Sequence, residues 1–295
     1  MLVVTNEQAG RTEGDLVAEV VEELGGTTAV EVAVCHAESD LDKMLDRRDG
    51  RVVVVVGGDG SLHTLLKHLW RRGEAATCPI GLIPLGTGND FARGVGIPVD
   101  HRAAARLIGT GTAQPVDLIV DDVDGVVVNA VHVGAGAEAL MRARPLKRRL
   151  RRAAFPLGAV AAGARTGGWR LRVEVDGGLV ASGRRKVLMA GVSNAPTIAG
   201  GTARLGPAAD PRDGLAEVTV SLATGPLARV GYALDLVRGR HPERADVMHV
   251  RGRTVTISGS PFPINADGEL TGPVRRRTWR VEPGAWRCVL PLREQ

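Results

Sequence analysis

Residues 52–64 read VVVVVGGDGSLHT. Five consecutive valines are a β-branched run of the length and saturation of a strand buried on both faces. Two glycines, an aspartate, a third glycine and a serine follow, and 61–72 then shows helical periodicity. The flanking sequence repeats this strand-then-helix texture. Residues 2–4 are strand-like, and Leu16, Val17, Val20, Val21 and Leu24 recur at helical spacing until Gly25-Gly26 ends the run. Residues 28–34 suggest a strand, 40–48 a helix and 80–83 (IGLI) another strand. The order βαβαβαβ predicts a parallel sheet with helices on both faces.

From about Gln114 short β-like runs dominate: 125–133, 169–175, 186–193, 216–222, 254–258 and 278–283, with one helical patch at 226–238. The expected fold class is therefore α/β plus β. An N-terminal parallel-sheet domain, 1–115, precedes a C-terminal antiparallel β-sandwich domain, 116–295, whose last strand can return to the first domain. The 295 residues are 44% apolar and 24% charged, which suits a soluble globular chain. Aromatics at 3% argue against a stacking platform for single strands, and net charge +5 favours anionic partners. Cys35, Cys78 and Cys288 form no CxxC pair, no apolar run is long enough to span a bilayer, and the N-terminus lacks a signal pattern. These features predict a cytoplasmic protein.

At the carboxyl end of a parallel strand, Gly57, Gly58 and Gly60 let the backbone turn sharply and bring amides close to an anion, while Ser61 can cap the next helix. Asp59 is the discordant residue. Its carboxylate would repel a bare phosphate, which suggests an intervening Mg²⁺ or hydroxyl. The segment 83–93, IPLGTGNDFAR, follows the next strand with the same chemistry. Two such loops at the carboxyl ends of parallel strands point to a nucleotide, and Asn89-Asp90 also reads as a helix cap.

Together GGDGS and PLGTGNDFAR resemble the diacylglycerol kinase catalytic domain of bacterial lipid kinases. The resemblance extends to AADPRDGLAEV (208–218), similar to that family's structural metal loop, to NADGEL (265–270), similar to its catalytic DGE segment, and to VVTNEQAGR at the N-terminus. It implies a nucleotide-binding domain joined to a β-rich one, with the site in the cleft between them, using ATP and Mg²⁺. Asn6, Gly10 and Arg11 would contact phosphates. Gly57, Gly58, Asp59, Gly60 and Ser61 would form the phosphate loop, joined by Thr87, Asn89 and Asp90. Asp267 and Glu269 would be the catalytic carboxylates, Glu269 more often the proton acceptor. Asp210, Asp213 and the Leu215 carbonyl would hold a metal. The reaction implied is transfer of the ATP γ-phosphate to a lipid hydroxyl, most simply that of diacylglycerol, giving phosphatidic acid.

The sequence departs from the family at Ser61-Leu62-His63-Thr64, where Thr-x-Asn-Glu is usual, and at Glu7, where proline is usual. His63 and His68, five apart, are expected to be solvated. A basic stretch at 141–167, with Arg142, Arg144, Lys147, Arg148, Arg149, Arg151 and Arg152 ahead of an apolar run, offers peripheral contact with anionic lipids on the inner face of a membrane. The lipid substrate is the expected partner, and the resemblance also brings a homodimer into view. No nucleic-acid motif accompanies the charge, so none is expected as a partner. Two alternatives remain at this point. One is a NAD kinase or phosphofructokinase relative, which also carries GGDG loops. The other is a nucleotide- or lipid-binding relative without turnover, kept open by the altered SLHT segment.

Overall fold

A computed structural model describes residues 1–6, 11–26, 29–143 and 167–292. The chain divides into two compact units, 1–118 with 282–295, and 119–281.

The first unit alternates β1 (Leu2–Asn6), α1 (Arg11–Gly25), β2 (Glu31–Cys35), α2 (Asp40–Asp46), β3 (Val53–Gly57), α3 (Asp59–Arg71) and β4 (Pro79–Pro84). Helices α4 (Asp90–Val95) and α5 (His101–Thr110) and strand β5 (Thr112–Asp121) follow. Strands β1 to β4 and residues 287–288 pair in parallel, in the order 287–288, β4, β3, β1, β2. The chain steps outward from β1 in opposite directions to β2 and β3, so a topological switch point lies at β1/β3. The four valines of β3 ahead of Gly57 are buried, and Leu62, Leu65, Leu66 and Leu69 form the inner face of α3. Burial of each such side chain contributes about 1.5–3 kcal/mol.

Two sequence expectations change here. His63 and His68 are buried rather than solvated. The ring of His68 lies 3.0 Å from the Asp42 carboxylate and 3.4 Å from that of Glu38, tying α3 to the α2 region. Helix α5 escaped the periodicity reading because its inner face is mostly alanine: Ala104, Ala105 and Ile108. It starts where Asp100 accepts the Ala103 amide at 2.8 Å. Ile108 lies over Gly81, where a Cβ would sit 2.8 Å from its Cδ1, which explains a glycine inside a buried strand.

The second unit contains β6 (Val126–Val127), β7 (Ala130–Gly134), α6 (Ala135–Ala143), β8 (Leu171–Val175), β9 (Gly178–Ser182), β10 (Met189–Ser193), β11 (Ala216–Ser221), α7 (Pro226–Arg238), β12 (Val247–Gly252) and β13 (Thr254–Ala266). Strand β14 (Glu269–Leu290) begins here and ends in the first unit. The strands pair antiparallel in the order β12, β11, β10, β7, β13, β14. The first half of β13 also pairs with β8, and bulges fall between Ser258 and Ile264. Val131, Val133, Val173, Val192, Val218, Ile257, Phe262 and Trp279 belong to its core. Helix α7 matches the patch read from the sequence, whereas α6 was not foreseen. The mixed α/β plus β class holds.

Two histidines of this unit are buried as neutral rings. Burial lowers the pKa of His132 from 6.5 to about 4. Burial, then the neighbouring His249 charge, lowers His241 to about 4. As pH falls from 6.5 towards 4 the unfolded chain binds these protons and the folded chain does not, so stability is lost on acidification through that window. Urea titrations between pH 7 and pH 4.5 should show this decline, and His132→Gln should flatten the slope by up to one proton.

Candidate active site

The two glycine loops of the first unit interlock. Gly57 ends β3, Gly58 has extended backbone at the N-cap of α3, and its carbonyl accepts the amides of Ser61 at 3.0 Å and Leu62 at 3.2 Å. A Cβ on Gly86 would lie 2.5 Å from the Gly58 Cα, so the loops meet backbone to backbone. The Asp59 carboxylate then reaches across. Its oxygens accept the amides of Asp90 and Phe91, each at 3.0 Å.

This gives the discordant aspartate a structural role and changes the reading of Asn89 as a helix cap. Asp59 is a cap for α4 supplied from another loop. Asn89 occupies the N-cap position of α4 but makes no side-chain cap. Instead it adopts left-handed backbone (φ 52°), which asparagine tolerates, and donates to the Gly86 carbonyl at 2.7 Å. Two amides of the α4 start are thus taken by Asp59, while the 13-residue helix α3 begins with no side-chain cap. Thr87 is exposed, and Asp90 is buried.

A cavity of about 470 Å³ opens beside the start of α3. Its lining comes from the ends of β1 (Thr5), β2 (Cys35) and β3 (Val56), from His36 and Glu38, and from Gly60, Ser61 and Thr64. It therefore sits at the switch point, outside the carboxyl ends of the strands. Sequence reasoning found Gly60 and Ser61 but missed Thr5, Cys35, His36, Glu38 and Thr64. The signal available was position alone: each lies at or just beyond a strand end or in the first two turns of α3. Burial, then Asp40, raises the Cys35 pKa, so the cavity presents a thiol. Asn6 closes β1 and Arg11 opens α1, while Gly10 lies outside the described residues.

In the second unit, Asp267 and Gly268 form the two-residue turn between β13 and β14, with Ala266 paired to Glu269. Both turn residues have positive φ, 46° and 93°, as a type I′ hairpin requires. The Asp267 carboxylate accepts three amides, from Val128 at 2.6 Å, Asn129 at 3.0 Å and Ala130 at 3.1 Å. These bonds divide the 125–133 run, expected as one strand, into β6 and β7. Asp267 is thus an anchor for the hairpin, and Glu269 beside it is exposed.

The residues expected to hold a metal lie in one loop, where each carboxylate has a partner within the chain. Asp210 accepts from Arg212 at 3.2 Å, and Asp213 pairs with Arg251 and accepts the Leu215 amide at 2.9 Å. Among the described residues no group of three or more His, Cys, Asp or Glu side chains is placed to hold a metal ion. Both loop carboxylates have an arginine partner, and the expected set of two carboxylates and one backbone carbonyl is smaller than such a group. The basic stretch at 141–167 lies almost wholly outside the described residues.

The diacylglycerol kinase catalytic domain matches residues 1–120, and the YegS C-terminal NAD kinase beta sandwich-like domain matches 129–290. The chain belongs to the YegS-like lipid kinase family. It is similar to proteins named "Probable lipid kinase YegS-like". One, from Stenotrophomonas maltophilia, is 30% identical over 98% of this chain and 95% of its own length. Another, from Pseudomonas aeruginosa PAO1, is 32% identical over 99% and 94%. A solved diacylglycerol kinase structure from Bacillus anthracis has the same fold, with a TM-score of 0.74, 18% identity, and coverage of 98% of this chain and 96% of that one. Within this family the chain is a lipid kinase, a phosphotransferase with an alcohol acceptor.

Gly86→Ala places a Cβ against the Gly58 backbone and should weaken ATP binding at least about tenfold, with a stability loss of about 1–3 kcal/mol; calorimetric titration and thermal melts check both. Saturating ATP should slow alkylation of Cys35 by N-ethylmaleimide, read by intact mass. Cys78 and Cys288, both buried, should stay unmodified with or without nucleotide.

Proposed function

We propose that this lipid kinase phosphorylates the free hydroxyl of diacylglycerol, forming phosphatidic acid and ADP. The observation that supports the reading best is the cavity at the carboxyl ends of β1, β2 and β3 beside the uncapped start of α3, which offers room for the phosphates and the nucleoside. Gly57, Gly58, Gly60 and Ser61 line the phosphate path, and Asn6, Gly10, Arg11 and Thr87 complete it by family likeness. Magnesium arrives as part of the MgATP substrate.

In the transfer, the lipid oxygen bonds to the γ-phosphorus as the bond to the β–γ bridging oxygen breaks. The hydroxyl proton passes to a carboxylate. Glu269 suits that role, because the Asp267 oxygens already accept three backbone amides. Asp267 holds the hairpin that carries Glu269. Since the acceptor is a membrane lipid, the protein works at the cytoplasmic face of a membrane, and the basic stretch at 141–167 adds attraction to anionic headgroups.

The test is transfer of labelled γ-phosphate from MgATP in mixed micelles to diacylglycerol, sphingosine, ceramide, phosphatidylinositol and, separately, NAD. Labelled phosphatidic acid is expected. Glu269→Gln should lower kcat about 10²–10⁴-fold with ATP affinity retained. Label appearing in another lipid instead would replace the acceptor, and label in NAD alone would overturn the reading.

A further inference from the structure

Helix α7 carries apolar residues on two faces. Its inner face, with Ala228, Tyr232 and Leu236, packs on a core that includes Leu205, Ala223 and Val247. Leu227, Val230, Leu234 and Val237 recur at steps of three, four and three, which places them in one stripe along the opposite face. Their exposures are 89%, 50%, 51% and 51%. A helix apolar all round is normally covered on both sides, and this one is covered on one. Scattered exposed apolar residues are ordinary, but four aligned on one helix face form a patch.

Charge surrounds this stripe. Arg184, Arg185 and Lys186 are exposed in sequence just before β10. A Cβ on Gly168 would touch both Lys186 Cβ, at 3.3 Å, and Thr224 Cγ2, at 2.9 Å, so Lys186 lies beside the residue two places ahead of α7. Arg170 joins the group by donating to the Arg184 carbonyl at 3.1 Å. At the other end of the helix Arg238 is exposed, as is Arg240, which pairs with Glu243 at 3.1 Å. The one acidic residue of α7, Asp235, is engaged by Arg244 at 2.9 Å and lies off the stripe.

We infer that the outer face of α7 docks on an anionic lipid surface, with Leu227, Val230, Leu234 and Val237 entering the acyl boundary and the flanking cations meeting headgroups. An apolar stripe bordered by arginine and lysine is the chemistry of an interfacial helix. A second copy of the chain fits the same face less well. A two-fold contact of α7 on α7 would bring the basic end of each helix against the basic end of its partner. The choice of occupant rests on the lipid-kinase reading, but vesicle binding needs no turnover.

The test is sedimentation of the full chain with vesicles of phosphatidylcholine alone or mixed with phosphatidylglycerol. Binding is expected to the mixed vesicles and to fall with added salt. The double variant Val230→Gln/Leu234→Gln should bind about tenfold more weakly, and Arg185→Gln/Lys186→Gln should bind more weakly with a shallower salt dependence. Both should keep the wild-type melting temperature and wild-type phosphorylation of a short-chain, water-soluble acceptor. Unchanged vesicle binding in the Val230/Leu234 variant overturns the inference. So does a wild-type dimer in sedimentation velocity that this variant converts to monomer, which would assign the face to a second copy. If vesicle binding depends on α7 but no lipid is phosphorylated, the docking surface stands and the proposed reaction falls. If lipid is phosphorylated while binding ignores α7, the reverse holds.

Discussion

The architecture of the nucleotide half depends on one carboxylate bridging two loops. Asp59 stands in the first turn of α3, yet both its oxygens accept amides from the first turn of α4, 31 and 32 residues away. Hydrogen bonds of this charge-assisted kind contribute roughly 1.5–3 kcal/mol each, more than a neutral pair. They form because nothing separates the two backbones: Gly58 and Gly86 approach so closely that neither tolerates a Cβ. Asn89 completes the arrangement by accepting left-handed backbone and donating to the Gly86 carbonyl. One helix start thereby has two amides taken by an internal carboxylate, and the other, with no side-chain cap, lies beside a cavity at the switch point. Two loops that look chemically equivalent have become unequal.

A related device operates in the second unit. Asp267 also lies in a tight turn and also spends its carboxylate on another segment's backbone, taking the amides of Val128, Asn129 and Ala130. Left buried without partners, those amides would each cost about 1–3 kcal/mol. The interaction ends β6, starts β7 and fixes the hairpin from which Glu269 projects. It separates the duties of two carboxylates that are neighbours in sequence, one holding backbone and the other exposed to solvent. In the 210–215 loop the acids are likewise answered from within the chain, by Arg212 and Arg251.

Much of the fold was legible in the sequence because it follows from short-range physics. A run such as 52–56 can satisfy its side chains only inside a sheet, and the glycine pairs mark where backbone must turn, so strand order, helix order and the change of texture after residue 114 could be read directly. Helix α5 was not legible because alanines at its inner face carry little periodic signal. His68 was misjudged because its burial depends on the Asp42 and Glu38 carboxylates that the α2 region supplies, and His63 because it joins the leucines on the buried side of α3.

The sequence by itself determined the parallel and antiparallel halves, the two glycine-rich strand ends, the DG hairpin and the family likeness, since each is written in residues close together along the chain. Only the tertiary structure decided what the aspartates do. Whether Asp59, Asp213 or Asp267 faces a ligand, an arginine or a set of amides depends on groups brought alongside from 31 to 139 residues away. A carboxylate binds whichever donors the fold places within about 3 Å, and local sequence does not encode those partners.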